Sequence, residues 1–279
     1  MLRARALEQV ALSYAAPEDG PLKQAVIRAV EKLSGRDRAE RIYREVRRGL
    51  RPDSNVWSEA VRGLDVRVAY DPARLAAVPR TGPLVVVANH PFGVVDGLVL
   101  CHLVSLVRPD FKVVAMSTLC RVPEVRDYVL PINFAETAEA AATSARSRRE
   151  ARALLKRGGC LIIFPGGEVS TAREPFGPAV DAAWHPFVGR LIMGARATVL
   201  PVHFAGQNSR LFQLASRVST TLRISLLVRE TLSRIGSVIH VRIGEALRYE
   251  SLGAESDPRL LAARLRALTY AIGPERAAA

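Results

Sequence analysis

Short apolar runs without polar/apolar alternation constrain this chain more than any other feature. They are Leu84–Ala88, Phe111–Ala115, Val129–Ile132, Cys160–Phe164, Thr198–Phe204 and Ser237–Ile243. A strand with one wet face carries a polar residue at every second position, so runs of Val, Ile and Leu without them must be covered on both faces. The segments Val94–Val107, Ala135–Arg157 and Gly189–Ala197 between them read as helices. The second ends on Lys156-Arg157 before Gly158-Gly159, cations at the negative end of the helix dipole followed by a glycine stop. Buried strands separated by helices predict an α/β fold, a mostly parallel twisted sheet flanked by helices.

Residues 1–60 read as an N-terminal amphipathic helical segment, and residues 61–279 as the α/β domain. From Pro21 to Leu33 the apolar positions Leu22, Val26, Val30 and Leu33 recur at helical spacing. From Arg38 to Leu50 they are Ala39, Ile42, Val46 and Leu50, opposite Arg38, Arg41, Arg44, Arg47 and Arg48. Such helices suit packing on the main domain or lying on an anionic membrane. The whole chain carries 40 basic and 27 acidic residues, a net charge of +13 that favours an anionic partner surface. Its basic blocks lack the interleaved aromatics on which nucleobases stack, so no nucleic-acid partner is expected. Pro83–Val107 has the length of a membrane span, but His90 and Asp96 near its centre would be costly in lipid, so it reads as strand, turn and helix. Cys101, Cys120 and Cys160 form no CxxC pair, which fits buried thiols in a reduced compartment. The start, Met1-Leu2-Arg3-Ala4-Arg5, lacks the apolar core of a signal peptide, so export is not expected.

Several common chemistries have no signature here. There is no GxxxxGK[ST] phosphate loop, GxGxxG turn, GxSxG elbow or HExxH pair. The positive signal begins where Leu84–Ala88 runs into Asn89-His90-Pro91-Phe92-Gly93-Val94-Val95-Asp96. Residues just past the carboxyl end of a strand line the ligand crevice of an α/β sheet. A histidine there, with a carboxylate at the start of the next helix, can form a base and its orienting partner. Taken alone, the pair reads rather as a turn histidine with Asp96 capping the helix, and it is the further segments that favour the base. A second strand end, Phe164-Pro165-Gly166-Gly167-Glu168-Val169-Ser170, breaks into a glycine turn whose amides can hold a phosphate or another anion. A third strand, Val199-Leu200-Pro201-Val202-His203-Phe204, ends in Gly206-Gln207-Asn208-Ser209-Arg210. Three such ends imply one shared crevice. His102, His203 and His240 sit in apolar runs and are expected in the core. His185 lies in a loop, and its role stays open.

In this order the segments resemble the glycerolipid acyltransferase family, the enzymes that acylate lysophosphatidic acid and related lyso-lipids. Asn89, His90 and Asp96 resemble its first motif, Phe164-Pro165-Gly166-Gly167 its third and Leu200-Pro201-Val202 its fourth, over roughly residues 80–215. Five residues separate His90 from Asp96 where the family has four, and Gly166 stands where the family has glutamate. The stretch Val129–Phe134 has no arginine where the family's second motif carries one. The Asn-His-Pro-x-Gly form and the Gly-Gln-Asn-Ser-Arg-Leu-Phe run look closest to a bacterial branch of hemolysin-labelled and lyso-ornithine-lipid acyltransferases.

The resemblance implies an O-acyltransferase that moves a fatty acyl group from acyl-CoA or acyl-ACP to the hydroxyl of a lyso-lipid, a lysophospholipid or lyso-ornithine lipid. It needs no cofactor beyond the donor and no metal. His90 would be the general base and Asp96 its orienting carboxylate. Asn89, Phe164, Pro165, Gly166, Gly167, Glu168, Ser170 and Arg210 would bind substrate. Arg210, Arg217, Arg223, Arg229 and Arg234 would face headgroups, carrier protein or coenzyme phosphates. The implied location is peripheral, at the cytoplasmic face of the inner membrane, against an anionic membrane surface. The alternatives are a non-catalytic lipid-binding protein on the same fold and a metal-dependent hydrolase using His90, His185, His203 and Glu168.

Overall fold

The computed structural model describes residues 20–133, 137–174, 176–253 and 255–273, with Lys23 described by its backbone. The opening residues examined for a signal peptide, and Phe134 and Ala135, lie outside the described residues. The chain begins with helices α1 (Pro21–Leu33), α2 (Arg36–Gly49) and α3 (Val56–Gly63), then strand β1 (Arg67–Ala69) and the short α4 (Pro72–Ala76). The α/β pattern follows as β2 (Leu84–Ala88), α5 (Val94–Ser105), β3 (Phe111–Met116), β4 (Val129–Ile132), α6 (Ala138–Lys156) and β5 (Cys160–Ile163). A small hairpin, β6 (Thr171–Ala172) and β7 (Ala179–Val180), precedes α7 (Phe187–Ala195) and β8 (Thr198–Phe204). The remaining elements are α8 (Arg210–Val218), α9 (Thr220–Leu232), β9 (Val238–Ile243) and α10 (Pro258–Ala271).

Seven strands form one sheet in the order β1-β9-β8-β2-β5-β3-β4. The five strands from β8 to β4 are parallel, whereas β9 runs antiparallel to β8 and parallel to β1. The expected α/β class with a mostly parallel sheet is therefore present. One expectation fails: β9 is not covered on both faces. Its residues alternate, with Ile239, Val241 and Ile243 buried and Val238, His240 and Arg242 exposed. It is a half-wet strand between β1 and its antiparallel neighbour β8, so His240 lies outside the core. His203 is buried on the adjacent strand, and His102 is half-buried, its Nδ1 3.0 Å from Ser58 Oγ.

β2 is buried at all five positions. Leu84, Val86 and Ala88 join a core with Val95, Val99 and Leu103 of α5 and Trp57 and Val61 of α3. Val85 and Val87 face the opposite core, with Leu155 of α6, Val188, Leu191 and Ile192 of α7, and Leu261 and Leu265 of α10. Burying each such side chain contributes about 1.5–3 kcal/mol, so this strand anchors both layers. The chain moves outward from β2 to β3 and β4, returns to β5 beside β2, and then crosses to β8 on the other side. The strand order thus reverses at β2, the position where the loops of an open α/β sheet part to leave a crevice.

A buried guanidinium secures the opposite edge. Arg108 is fully buried and donates to the carbonyls of Pro79, Gly82 and Gly158, while the Asp110 carboxylate accepts from its Nε and Nη2 at 2.8 Å. It ties together the turns that lead into β2 and β5.

Helix α9 packs between α1 and α8, with Phe212, Leu226 and Leu227 in a separate small core that also takes Val30 and Val169. The expected inward face of α1 is corrected here. Ile27 and Glu31 are buried beside the half-buried Val30, whereas Leu22, Val26 and Leu33 are exposed. The neighbour of α1 is another helix rather than the sheet, and it takes a stripe rotated from the one that hydrophobicity alone selects. No helix among the described residues is long and apolar enough to cross a membrane.

Candidate active site

The loop after β5 meets His90 on the loop after β2, and the loop after β8 lies beside them, Gly206 close to the Phe92 ring. The backbone of His90 is held from both sides: its N–H donates to Asp181 Oδ1 at 3.1 Å, and its carbonyl accepts from the Ser170 N–H at 2.8 Å. The imidazole stacks on the Phe164 ring with centroids 4.1 Å apart and planes at 30°. Its Nδ1 lies 3.0 Å from Asp96 Oδ2. That approach is bent rather than aligned, so the two atoms are close without a well-directed hydrogen bond. Nε2 has no partner among the described residues, and the side chain keeps 19% of its surface exposed. The residue is fixed at backbone, ring face and one nitrogen, which leaves the other nitrogen for chemistry.

Asp96 is completely buried at the first turn of α5. Its Oδ2 accepts from the Phe92 and Gly93 N–H groups at 2.8 and 2.9 Å, in addition to the His90 contact, while Oδ1 has no partner. Burial pushes the carboxyl above its ordinary range, and the imidazole and the two amides oppose that shift. One oxygen of Asp96 thus caps the first turn of α5 and also approaches the imidazole.

Between His90 and Asp96 the chain turns at Gly93, whose φ of +82° with ψ of −109° only glycine adopts readily. A Cβ there would also stand 3.1 Å from Leu227 of α9 and 3.2 Å from Val169. The loop thus bulges into space that α9 and the β5 loop leave for it.

The other expected residues divide into scaffold and rim. Asn89 is buried, and its side chain clasps β8 by donating to the Phe204 carbonyl at 2.9 Å and accepting from the Phe204 N–H at 2.7 Å. Ser170 is buried and donates to Asp181 Oδ1 at 2.5 Å. The Gly167 N–H closes a turn onto the Phe164 carbonyl, so that amide is engaged within the loop. A Cβ on Gly166 would crowd Asp181 at 3.2 Å, and Pro165 is buried with its carbonyl accepting from the His185 N–H. Glu168 is exposed and paired with Arg223 of α9 at 2.7 Å. Arg210 lies at the start of α8 with its guanidinium 5.3 Å from the centre of the Phe176 ring, and no contact joins it to His90. His185 caps α7, its Nδ1 accepting from the Phe187 N–H. Among the described residues no three metal-ligating side chains converge.

Asp181 is the residue that the sequence did not single out. It is buried, and its carboxylate accepts from His90 N–H, Ser170 Oγ and Trp184 Nε1, the last at 2.8 Å. Its own N–H donates to Tyr270 Oη and its carbonyl accepts from Arg266, which ties α10 to the site. Tyr270 is pushed up to about 12, first by burial and then by the Asp181 charge. A lone acid three positions before a tryptophan was the only local trace of this hub.

Residues 52–275 match a protein family described as Acyltransferase. The chain belongs to this acyltransferase family. The matched region of this acyltransferase includes His90, Asp96, Asp181 and the loops after β2, β5 and β8. No curated protein matches the chain. Among solved structures it is similar to the 1-acyl-sn-glycerophosphate (LPA) acyltransferase PlsC from Thermotoga maritima, at 17% identity and a TM-score of 0.49, over 90% of this chain and 79% of that one.

Proposed function

We propose that this acyltransferase moves a fatty acyl group from a thioester, acyl-CoA or acyl-ACP, to the hydroxyl of a lyso-lipid, with His90 as general base. The reading rests above all on the Asp96–His90 contact at 3.0 Å with Nε2 left unpartnered at a partly exposed strand end. Nδ1 keeps its proton toward Asp96, so Nε2 accepts the proton of the acceptor hydroxyl as its oxygen attacks the thioester carbonyl. The tetrahedral intermediate collapses with cleavage of the C–S bond. His90 returns the proton to the departing thiolate, leaving an ester and a free thiol. The thioester is already activated, so no covalent enzyme intermediate is needed. General-base assistance is worth about 10²–10⁴ in rate. Phe164 restrains the ring by stacking, and Asp181 and Ser170 hold its backbone. The acceptor class, a lysophospholipid or lyso-ornithine lipid, follows the motif resemblance, as does a peripheral place at the cytoplasmic face of the inner membrane.

The test is acyl transfer from acyl-CoA and acyl-ACP to a panel of lyso-lipids by wild type and His90→Ala. Turnover is expected to fall by about 10² or more in a variant with unchanged circular dichroism. Wild-type rates in a folded His90→Ala protein would remove His90 from the mechanism.

A further inference from the structure

Resting on the lipid-acyltransferase reading, we propose that the tip of the β6–β7 hairpin and the outer face of α8 together form the surface that inserts into an anionic lipid bilayer. Phe176 at the hairpin tip is 77% exposed, and Leu211, Leu214 and Val218 of α8 are 44%, 47% and 79% exposed. The three α8 positions recur at helical spacing, so they form one stripe, while Phe212 on the opposite side fills the core beneath. Tip and stripe form one patch, since the Arg210 guanidinium lies 5.3 Å from the centre of the Phe176 ring and α8 packs against β6.

The charge around the patch selects the occupant. Arg173, Arg210 and Arg217 are all exposed beside it, against the single acid Glu174 in the described part of the tip. A second copy of this chain would bring the same arginines face to face across a two-fold contact. An anionic bilayer offers acyl chains to the apolar tip and stripe and phosphates to the three guanidiniums.

The hairpin also determines where such a surface would put the catalytic loop. Its two ends are Ser170 and Asp181, the residues that grip the His90 backbone, and Gln207 and Gln213 clasp the hairpin by accepting from the Ala179 and Ala172 N–H groups. Asp181 comes five positions after Phe176, at most about 18 Å of extended chain. Insertion of the tip therefore brings His90 to the headgroup layer, where the hydroxyl of a lyso-lipid lies.

The test is flotation with phosphatidylglycerol vesicles and with phosphatidylcholine vesicles, together with quenching of Phe176→Trp fluorescence by lipids brominated on their acyl chains. The full chain is expected to float with phosphatidylglycerol and to partition about a hundredfold more weakly to phosphatidylcholine, as the loss of three arginine–lipid attractions requires. Leu214→Gln with Val218→Gln is expected to weaken partition about tenfold at an unchanged unfolding midpoint, and the tryptophan at the tip to be quenched. His90→Ala, which lacks turnover, is expected to float like wild type, so failure of the catalytic reading leaves this result standing. An unquenched tip or undiminished partition of the double variant would overturn the proposal. So would vesicle-free dimerisation abolished by the same two substitutions, which would assign the face to a second copy.

Discussion

Replacing Asp181 with asparagine tests whether the site is built around that buried carboxylate. Three donors converge on it: His90 N–H and Ser170 Oγ on Oδ1, and Trp184 Nε1 on Oδ2. An asparagine has the same shape but only one acceptor oxygen. If that oxygen serves His90 and Ser170, the amide NH₂ faces the indole N–H, and two buried donors lose their partners. Each unmatched buried donor costs about 1–3 kcal/mol, and the two retained bonds lose their charge-assisted strength. A loss of about 3 kcal/mol is expected, seen as a drop of about 5 °C in Tm for a chain of this size. Urea unfolding followed by tryptophan fluorescence measures it directly, because Trp184 reports from the altered contact. Turnover per folded molecule is also expected to fall, since the His90 backbone loses an anchor, while KM for the thioester changes less. Stability within about 0.5 kcal/mol of wild type would mean that the carboxylate is not what holds the loops together, and the account of the site would fail.

Asp96→Asn keeps an acceptor for the Phe92 and Gly93 amides but removes the charge behind the imidazole. Acyl transfer is expected to fall by about 10² with no loss of unfolding midpoint, because a fully desolvated charge has gone as well; turnover near wild type would refute the orienting role. Arg108→Met strands the carbonyls of Pro79, Gly82 and Gly158, and a loss of about 4 kcal/mol is expected in urea unfolding, with turnover per folded molecule retained. A loss below about 1 kcal/mol would contradict it. Burial holds His203 at about 4 against its ordinary 6.5, helped by the Arg242 charge. It stays neutral in the fold while the unfolded chain takes up a proton first, so its contribution is complete above pH 6.5 and lost as pH falls toward 4, about 3 kcal/mol in all. His203→Gln is expected to flatten the pH dependence of the unfolding midpoint across that window, and an unchanged slope would refute this assignment.

Continuous apolar strands were legible because a strand buried on both faces has no polar position to hide it. Leu84–Ala88 and Val129–Ile132 are found with the bounds read from the sequence. The same logic misled at β9, where Val238 is apolar yet exposed, so the alternation of His240 and Arg242 with buried residues was masked. β1, with three residues led by Arg67, is too short and too polar to register. The arginines of residues 206–234 drew the eye to an outward face and hid the inward one, where Phe212 of α8 and Leu226 and Leu227 of α9 share a small core. His90 and Asp96 are near neighbours in the chain and carry a recognisable spacing. Asp181 acts on a residue 91 positions away through a fold that no local pattern encodes.

The two ends of the sheet carry separate duties. Arg108 rivets the turns ahead of β2 and β5 from within, at the edge remote from His90. The loops at the other edge have their own ties, the Asn89 clasp on β8 and the Asp181 carboxylate. An engineer could exchange the β6–β7 hairpin tip or the outer face of α8 as cassettes, keeping Ser170, Asp181 and the rivet as fixed points.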